Sequence, residues 1–173
     1  MKALPEGDEK EHVLKFVQSC AAPDGASFGG NVGHDSHLLY TLSAVQIFAL
    51  FDRLDLIDKD AVARYMASLQ QEDGSFIGDQ YGEKDTRFSY IAIMGLSLLG
   101  RLDAIDLDKA VEFILRCKNF DEGFGVVPNA ESHAGQTFCC VAALSIARRL
   151  GKSERTDETY PSHFLTSSFT RCD

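Results

Sequence analysis

Three acid–x–base triplets are spread along this chain of 173 residues: Asp35-Ser36-His37, Asp85-Thr86-Arg87 and Glu131-Ser132-His133. Each stands just before a long apolar run, where a helix is expected to begin. A carboxylate near a helix N-terminus caps a free N–H and meets the positive end of the macrodipole, a gain of ~0.3–1 kcal/mol. A base two residues later, in the first turn, opposes the dipole by a similar amount. The plain reading is that the neighbouring acid compensates the base. The chemical reading is anion capture, with backbone N–H groups and a cationic side chain converging on a phosphate. His133-Ala134-Gly135 is the best candidate, because Gly135 lets a ligand approach the first turn closely.

Other constellations carry less. His34 and His37 are spaced to share a metal on a helix, but no third ligand of matching register is nearby. Cys139 and Cys140 sit inside an apolar run and read as core residues, with Cys139 able to line a cavity. Asp79 and Glu83 would suit a helical-barrel glycosidase, although surface loop acids are the default. There is no phosphate loop, no G-x-S-x-G elbow and no zinc-protease helix.

The elements that must position these residues repeat at a period of 48 to 49 residues. The quartet Val13, Phe16, Val17, Cys20 recurs as Val62, Tyr65, Met66, Leu69 and as Ala110, Phe113, Ile114, Cys117, each spaced as one stripe of a helix. Polar residues lie between them, so these helices should show one face to water. The segments after the triplets, 38–51, 88–99 and 137–147, are apolar almost all round and should be enclosed on every side. Gly- and Phe-containing loops (DGASFGG, DGSFIGD, DEGFG) lead from the first kind to the second, and short links return. Asp58 and Asp106 are placed as N-caps. The architecture predicted is all-α: an α/α toroid, or a partial barrel of about three helix hairpins, without strands. Residues 1–150 form the repeat domain, and 151–173, rich in Ser and Thr, form a polar tail expected to be poorly ordered.

A formal charge of −9 without a basic stripe argues against a nucleic-acid surface. The odd number of cysteines, with no CxxC pair, reads as free thiols in a reducing compartment. No signal region opens the chain, and the apolar stretch 90–99 is too short to span a bilayer. A soluble, cytoplasmic protein that does not span a membrane is expected.

Taken together, the stretches GHDSHLLYTLSAVQIF (33–48), LQQEDGSFIGD (69–79), GEKDTRFSYIAI (82–93) and NFDEGFGVVPNAESHAGQTFCC (119–140) resemble the β subunit of protein prenyltransferases. The nearest resemblance, over about residues 9–150, is to the type II (Rab) geranylgeranyltransferase. It implies an α/α barrel whose funnel holds the isoprenoid, a separate prenyltransferase α subunit, and a Zn2+ ion that activates the acceptor cysteine. It also implies geranylgeranyl diphosphate as lipid donor and Rab proteins with an escort protein as acceptors. Carried across, His133 and Gly135 match diphosphate contacts, and Arg87 matches an arginine in the funnel. Leu42 and Tyr90 match positions that set pocket depth, Leu42 leaving room for a geranylgeranyl chain, and Cys139 matches a pocket-lining cysteine. The family's zinc ligands and the Arg/Lys pair of its diphosphate site belong to later repeats, past the resemblance, so no metal ligand is assigned here. The expectation is a truncated or alternatively spliced β subunit, inactive in prenyl transfer alone. The alternatives are a non-catalytic helical-repeat interaction module or the β subunit of another protein prenyltransferase. A terpenoid cyclase would need an acidic donor cluster, and Asp106-Leu107-Asp108-Lys109 begins an outer helix instead.

Overall fold

Apolar spacing dictates where the helices form. The half-polar segments become α1 (Gly7–Ser19), α3 (Lys59–Ser68) and α5 (Leu107–Arg116); the apolar ones become α2 (Leu38–Leu50), α4 (Thr86–Leu99) and α6 (Ala134–Ile146). These elements belong to a computed structural model that describes residues 4–148. The chain alternates outer and inner helices, making three hairpins. Inner helix α4 lies between α2 and α6, while α3 and α5 pack on its outer side.

Each hairpin is closed by the same devices. The phenylalanine of every Gly- and Phe-containing loop is buried: Phe28, Phe76 and Phe124 all enter the core. The loops pair with themselves through isolated antiparallel bridges (Ala21 with Phe28, Gln70 with Phe76, Lys118 with Phe124), and no strand forms among the described residues. Thr41 and Thr137 accept the N–H groups of Phe28 and Phe124 at 3.1 and 3.0 Å. Ser89 holds the same register in the second unit, but its buried hydroxyl has no partner among the described residues.

The predicted caps form. Asp58 accepts from the N–H groups of Asp60 and Ala61, and Asp106 from that of Lys109. The inner helices end on residues at equal spacing in the left-handed region: Asp52 (φ 53°), Gly100 (φ 68°) and Arg148 (φ 55°). Successive units are also tied through their outer sides. The Gln70 side chain donates to the Asp106 carbonyl at 2.8 Å and accepts its N–H at 2.9 Å. Gly74 is needed where the second loop meets α5: a Cβ there would lie 2.1 Å from the Lys109 carbonyl oxygen.

Two expectations need correction. Phe16 was placed in the buried stripe of the first outer helix, yet it is 54% exposed, and Leu14 is buried instead. Its counterpart Tyr65 sits within reach of Thr41 and Asp24 of the preceding unit, whereas α1 has no preceding unit among the described residues. The inner helices are likewise not enclosed on every side. Only α4 has an inner neighbour on both flanks; on α2 Leu39 is 44% exposed, and on α6 Phe138 is 65% exposed. The three hairpins of the described residues form an arc, and the outer flanks of its end helices carry these exposed side chains. No described helix is long and apolar enough to cross a membrane. The tail 151–173 and the domain boundary at residue 150 lie outside the described residues.

Candidate functional site

The inner helices begin on three residues at equal spacing: His37, Asp85 and His133 are their N-caps. The sequence had aligned Asp35, Asp85 and Glu131 as caps, with a base in each first turn. That register is corrected by two residues in the first and third units. His37 Nδ1 accepts the Leu39 N–H at 3.0 Å, and His133 Nδ1 accepts the Gly135 N–H at 3.1 Å. An imidazole nitrogen that accepts carries no proton, so it serves as a cap in the manner of an aspartate oxygen. Asp35 and Glu131 stay exposed outside the helices.

The second unit keeps the predicted arrangement. Buried Asp85 accepts the Arg87 N–H at 2.7 Å through one oxygen and Arg87 Nε at 2.8 Å through the other. This bonding raises the guanidinium pKa above its usual value, against the opposing effect of burial. Arg87 also lies 3.9 Å from Glu83 and stacks over the Phe88 ring, 5.9 Å from its centroid.

The starts of α4 and α6 are joined. Thr86 Oγ1 lies 2.7 Å from Gln136 Oε1 and 3.1 Å from the Gly125 carbonyl oxygen, and the Thr86 N–H donates to the Val126 carbonyl at 3.0 Å. The Thr86 and Gln136 side chains are buried; sequence reading missed their pairing, because Thr86 was only the middle residue of a triplet and Gln136 had no assigned role.

This joint gathers several of the sequence-selected residues. Half-buried Tyr90 packs edge-on against Phe138, ring centroids 6.0 Å apart. Burial, and then the nearby Cys139, push its hydroxyl pKa up; the hydroxyl has no hydrogen-bond partner among the described residues. Cys139 is half-buried; burial and then Asp85 raise its thiol pKa, with Arg87 opposing. His133 and Gly135 are exposed at the start of α6 and are bonded to each other. A Cβ at Gly135 would stand 3.2 Å from the His133 ring, so this glycine also makes room for the cap. Leu42 is set apart. It is 4% exposed, and its methyl lies 3.5 Å from where a Gly95 Cβ would be, in the seam between α2 and α4.

The described cysteines are free, and burial pushes Cys117 and Cys140 up to about 12. No group of three or more His, Cys, Asp or Glu among the described residues is arranged to hold a metal ion. The donor set among the described residues does not fit zinc.

The family model for the prenyltransferase alpha-alpha toroid domain matches residues 2–168. The chain is 52% identical over 149 residues to the geranylgeranyl transferase type-2 subunit beta of Saccharomyces cerevisiae, an alignment covering 84% of this chain and 46% of that protein. It is 40% identical to the Candida albicans subunit of the same name, over 82% of this chain and 45% of that one. The protein farnesyltransferase subunit beta of Schizosaccharomyces pombe is 34% identical, over 79% and 36%. Among solved structures, Candida albicans protein geranylgeranyltransferase-I complexed with GGPP matches with a TM-score of 0.71 at 19% identity, over 80% of this chain and 43% of that one. The chain thus spans about half the length of the curated type-2 relatives it matches.

Proposed function

The chain belongs to the prenyltransferase alpha-alpha toroid family, and on that premise we propose that it is a β subunit, or a β-subunit isoform, of Rab geranylgeranyltransferase. In the complete reaction, the thiolate of an acceptor cysteine attacks C1 of geranylgeranyl diphosphate. The C1–O bond breaks, a thioether forms, and diphosphate departs. A prenyltransferase α subunit, Rab proteins presented by an escort protein, and a cytoplasmic setting complete this reading. Zinc would hold the acceptor thiolate, but no described residues fit it, so no step is assigned to it here.

The residues of this chain act on the lipid end. Arg87, anchored by Asp85 yet with about half its side chain exposed, offers donors to the departing diphosphate. Rotation of the His133 ring off the Gly135 N–H would free that amide at the positive end of α6 for the same anion. Tyr90, Phe138 and Cys139 supply apolar wall along α4 and α6. Leu42, packed in the seam behind, limits how deep the lipid can lie.

The joint between the starts of α4 and α6 is the observation that supports this most. The Thr86–Gln136 bond ties the two helix starts, so the guanidinium, the thiol and the aromatic pair share one end of the arc. A fluorescent geranylgeranyl diphosphate analogue titrated into the purified chain tests it. Weak saturable binding is expected, reduced about tenfold by His133→Ala or Arg87→Ala, the loss of one charge-assisted contact. Binding indifferent to both substitutions would refute the reading. With Rab, escort protein, α subunit and zinc supplied, the chain alone is expected to give no turnover. The exposed inner flanks favour a second reading, a helical-repeat interaction module, which requires no isoprenoid affinity at all.

A further inference from the structure

The three Gly- and Phe-containing loops turn the chain at the same point but differ in how firmly that turn is held. Each begins with an aspartate, at Asp24, Asp73 and Asp121. The next residue is Gly25, Gly74 or Glu122, with φ of 67°, 84° and 67°. An aspartate followed by glycine carries a latent reaction, because no side chain blocks attack of the glycine amide nitrogen on the aspartate Cγ. Glu122 puts a Cβ in that path, so the reaction is open only to the first two loops.

Asp24 and Asp73 each accept the N–H two residues on, from Ala26 at 3.0 Å and from Ser75 at 3.1 Å. Each following glycine donates to a carbonyl three residues back, Gly25 to Ala22 at 2.8 Å and Gly74 to Gln71 at 2.9 Å. These bonds must open before the nitrogen can attack, and they are alike in both loops. What surrounds them is not. Asp73 is also held by the Ser75 hydroxyl and by Lys84 Nζ at 2.9 Å. Against the effect of burial, those partners keep its carboxyl at about 2, rarely in the neutral form that loses water. Gly74 is buried, and a Cβ there would lie 2.1 Å from the Lys109 carbonyl oxygen. Around Gly25 nothing stands within 4 Å of that point. Asp24 is exposed, and the Ala26 N–H gives its carboxylate its one hydrogen bond among the described residues.

A segment opens most readily where few contacts hold it. We propose that Asp24–Gly25 is a site of spontaneous isoaspartate formation, and that the fold protects Asp73–Gly74 from the same reaction. The Gly25 nitrogen attacks the Asp24 Cγ and gives up its proton as the N–Cγ bond forms. A carboxyl oxygen leaves as water, closing a five-membered succinimide. Water then adds to one of the two ring carbonyls. Breaking the new N–Cγ bond restores aspartate; breaking the original peptide bond leaves the chain running through Cβ and Cγ. The water released in the first step is regained in the second, so no other reactant is needed. The rearranged loop is one main-chain atom longer and its carboxylate is displaced from the Ala26 N–H, which loosens the turn that leads to buried Phe28. The proposal is independent of the isoprenoid reading.

The test is to age the full chain at mildly acidic pH in water enriched in heavy oxygen. The two Asp–Gly peptides are then compared by mass spectrometry with electron-transfer fragmentation. Residue 24 is expected to take up heavy oxygen and to accumulate isoaspartate about tenfold faster than residue 73, or more. In urea the two sites should react at similar rates, since the fold no longer distinguishes them. Asp24→Glu keeps Gly25 in its turn but would require a six-membered ring, and it should abolish the rearrangement. Lys84→Met should raise the rate at residue 73 several-fold by releasing its carboxylate. Equal rates at the two sites in the folded chain, no rearrangement at residue 24, or a tenfold difference that persists in urea would each overturn the proposal.

Discussion

The two joints of this molecule share a backbone and differ in nearly everything attached to it. In both, the first amide of an inner helix donates to a loop carbonyl of the next unit: Leu38 to Gly78 and Thr86 to Val126. At the second joint the facing side chains are Thr86 and Gln136, buried and hydrogen-bonded. At the first, the same two positions hold Leu38 and Phe88, buried and apolar. The backbone contact carries the architecture, and it accepts either a matched polar pair or a matched apolar one. A mixed pair would bury an unsatisfied group.

Breaking the apolar pair should have the largest effect. Phe88→Ala empties a buried aromatic site and should cost about 3–5 kcal/mol in urea unfolding. At the polar joint, Thr86→Val removes the single O–H that Gln136 Oε1 and the Gly125 carbonyl oxygen share and should cost about 1–3 kcal/mol. Adding Gln136→Leu should recover much of that loss, because the pair is again matched, and a double-mutant cycle would show strong coupling. Additive losses would refute the matched-pair view. Asp52→Gly should raise stability by up to about 1 kcal/mol, since Asp52 holds a left-handed conformation that Gly100 adopts freely in the next unit.

The smallest effect at neutral pH sharpens the comparison in acid. Burial tends to raise the Asp73 carboxyl, but Ser75 and Lys84 outweigh it and hold it at about 2. A pKa depressed on folding contributes stability that is full above the unfolded value, roughly 4, and is lost as pH falls toward about 2. Asp73→Asn should therefore flatten the acid limb of the stability curve between those values. The first unit has Ser36 at the position of Lys84, and Ser36 pairs with the Ser27 hydroxyl at 2.6 Å instead.

Much of the fold was legible in the sequence because it rests on periodic properties. The apolar stripes, the buried loop phenylalanines and the caps at Asp58 and Asp106 all recur at one spacing. The site was less legible. The acid–x–base triplets looked like one motif repeated, but their acids fall 50 and 46 residues apart, whereas the true caps His37, Asp85 and His133 are evenly spaced. Matching by residue type hid this, since a neutral imidazole and a carboxylate offer the same acceptor to a helix amide. Phe16 was misread for a different reason. Its type suits a core, but coverage at that position comes from a neighbouring unit.

By itself the sequence determined the helical repeat, the family resemblance and the residue types available at each register position, because local periodicity and turn chemistry act along the chain. Only the tertiary structure decided which of these residues meet. Whether Arg87 is held by Asp85 and whether Thr86 finds Gln136 depend on contacts across joints between units. Such contacts are set by packing in space, where chain spacing carries no information until the period has been folded into an arc.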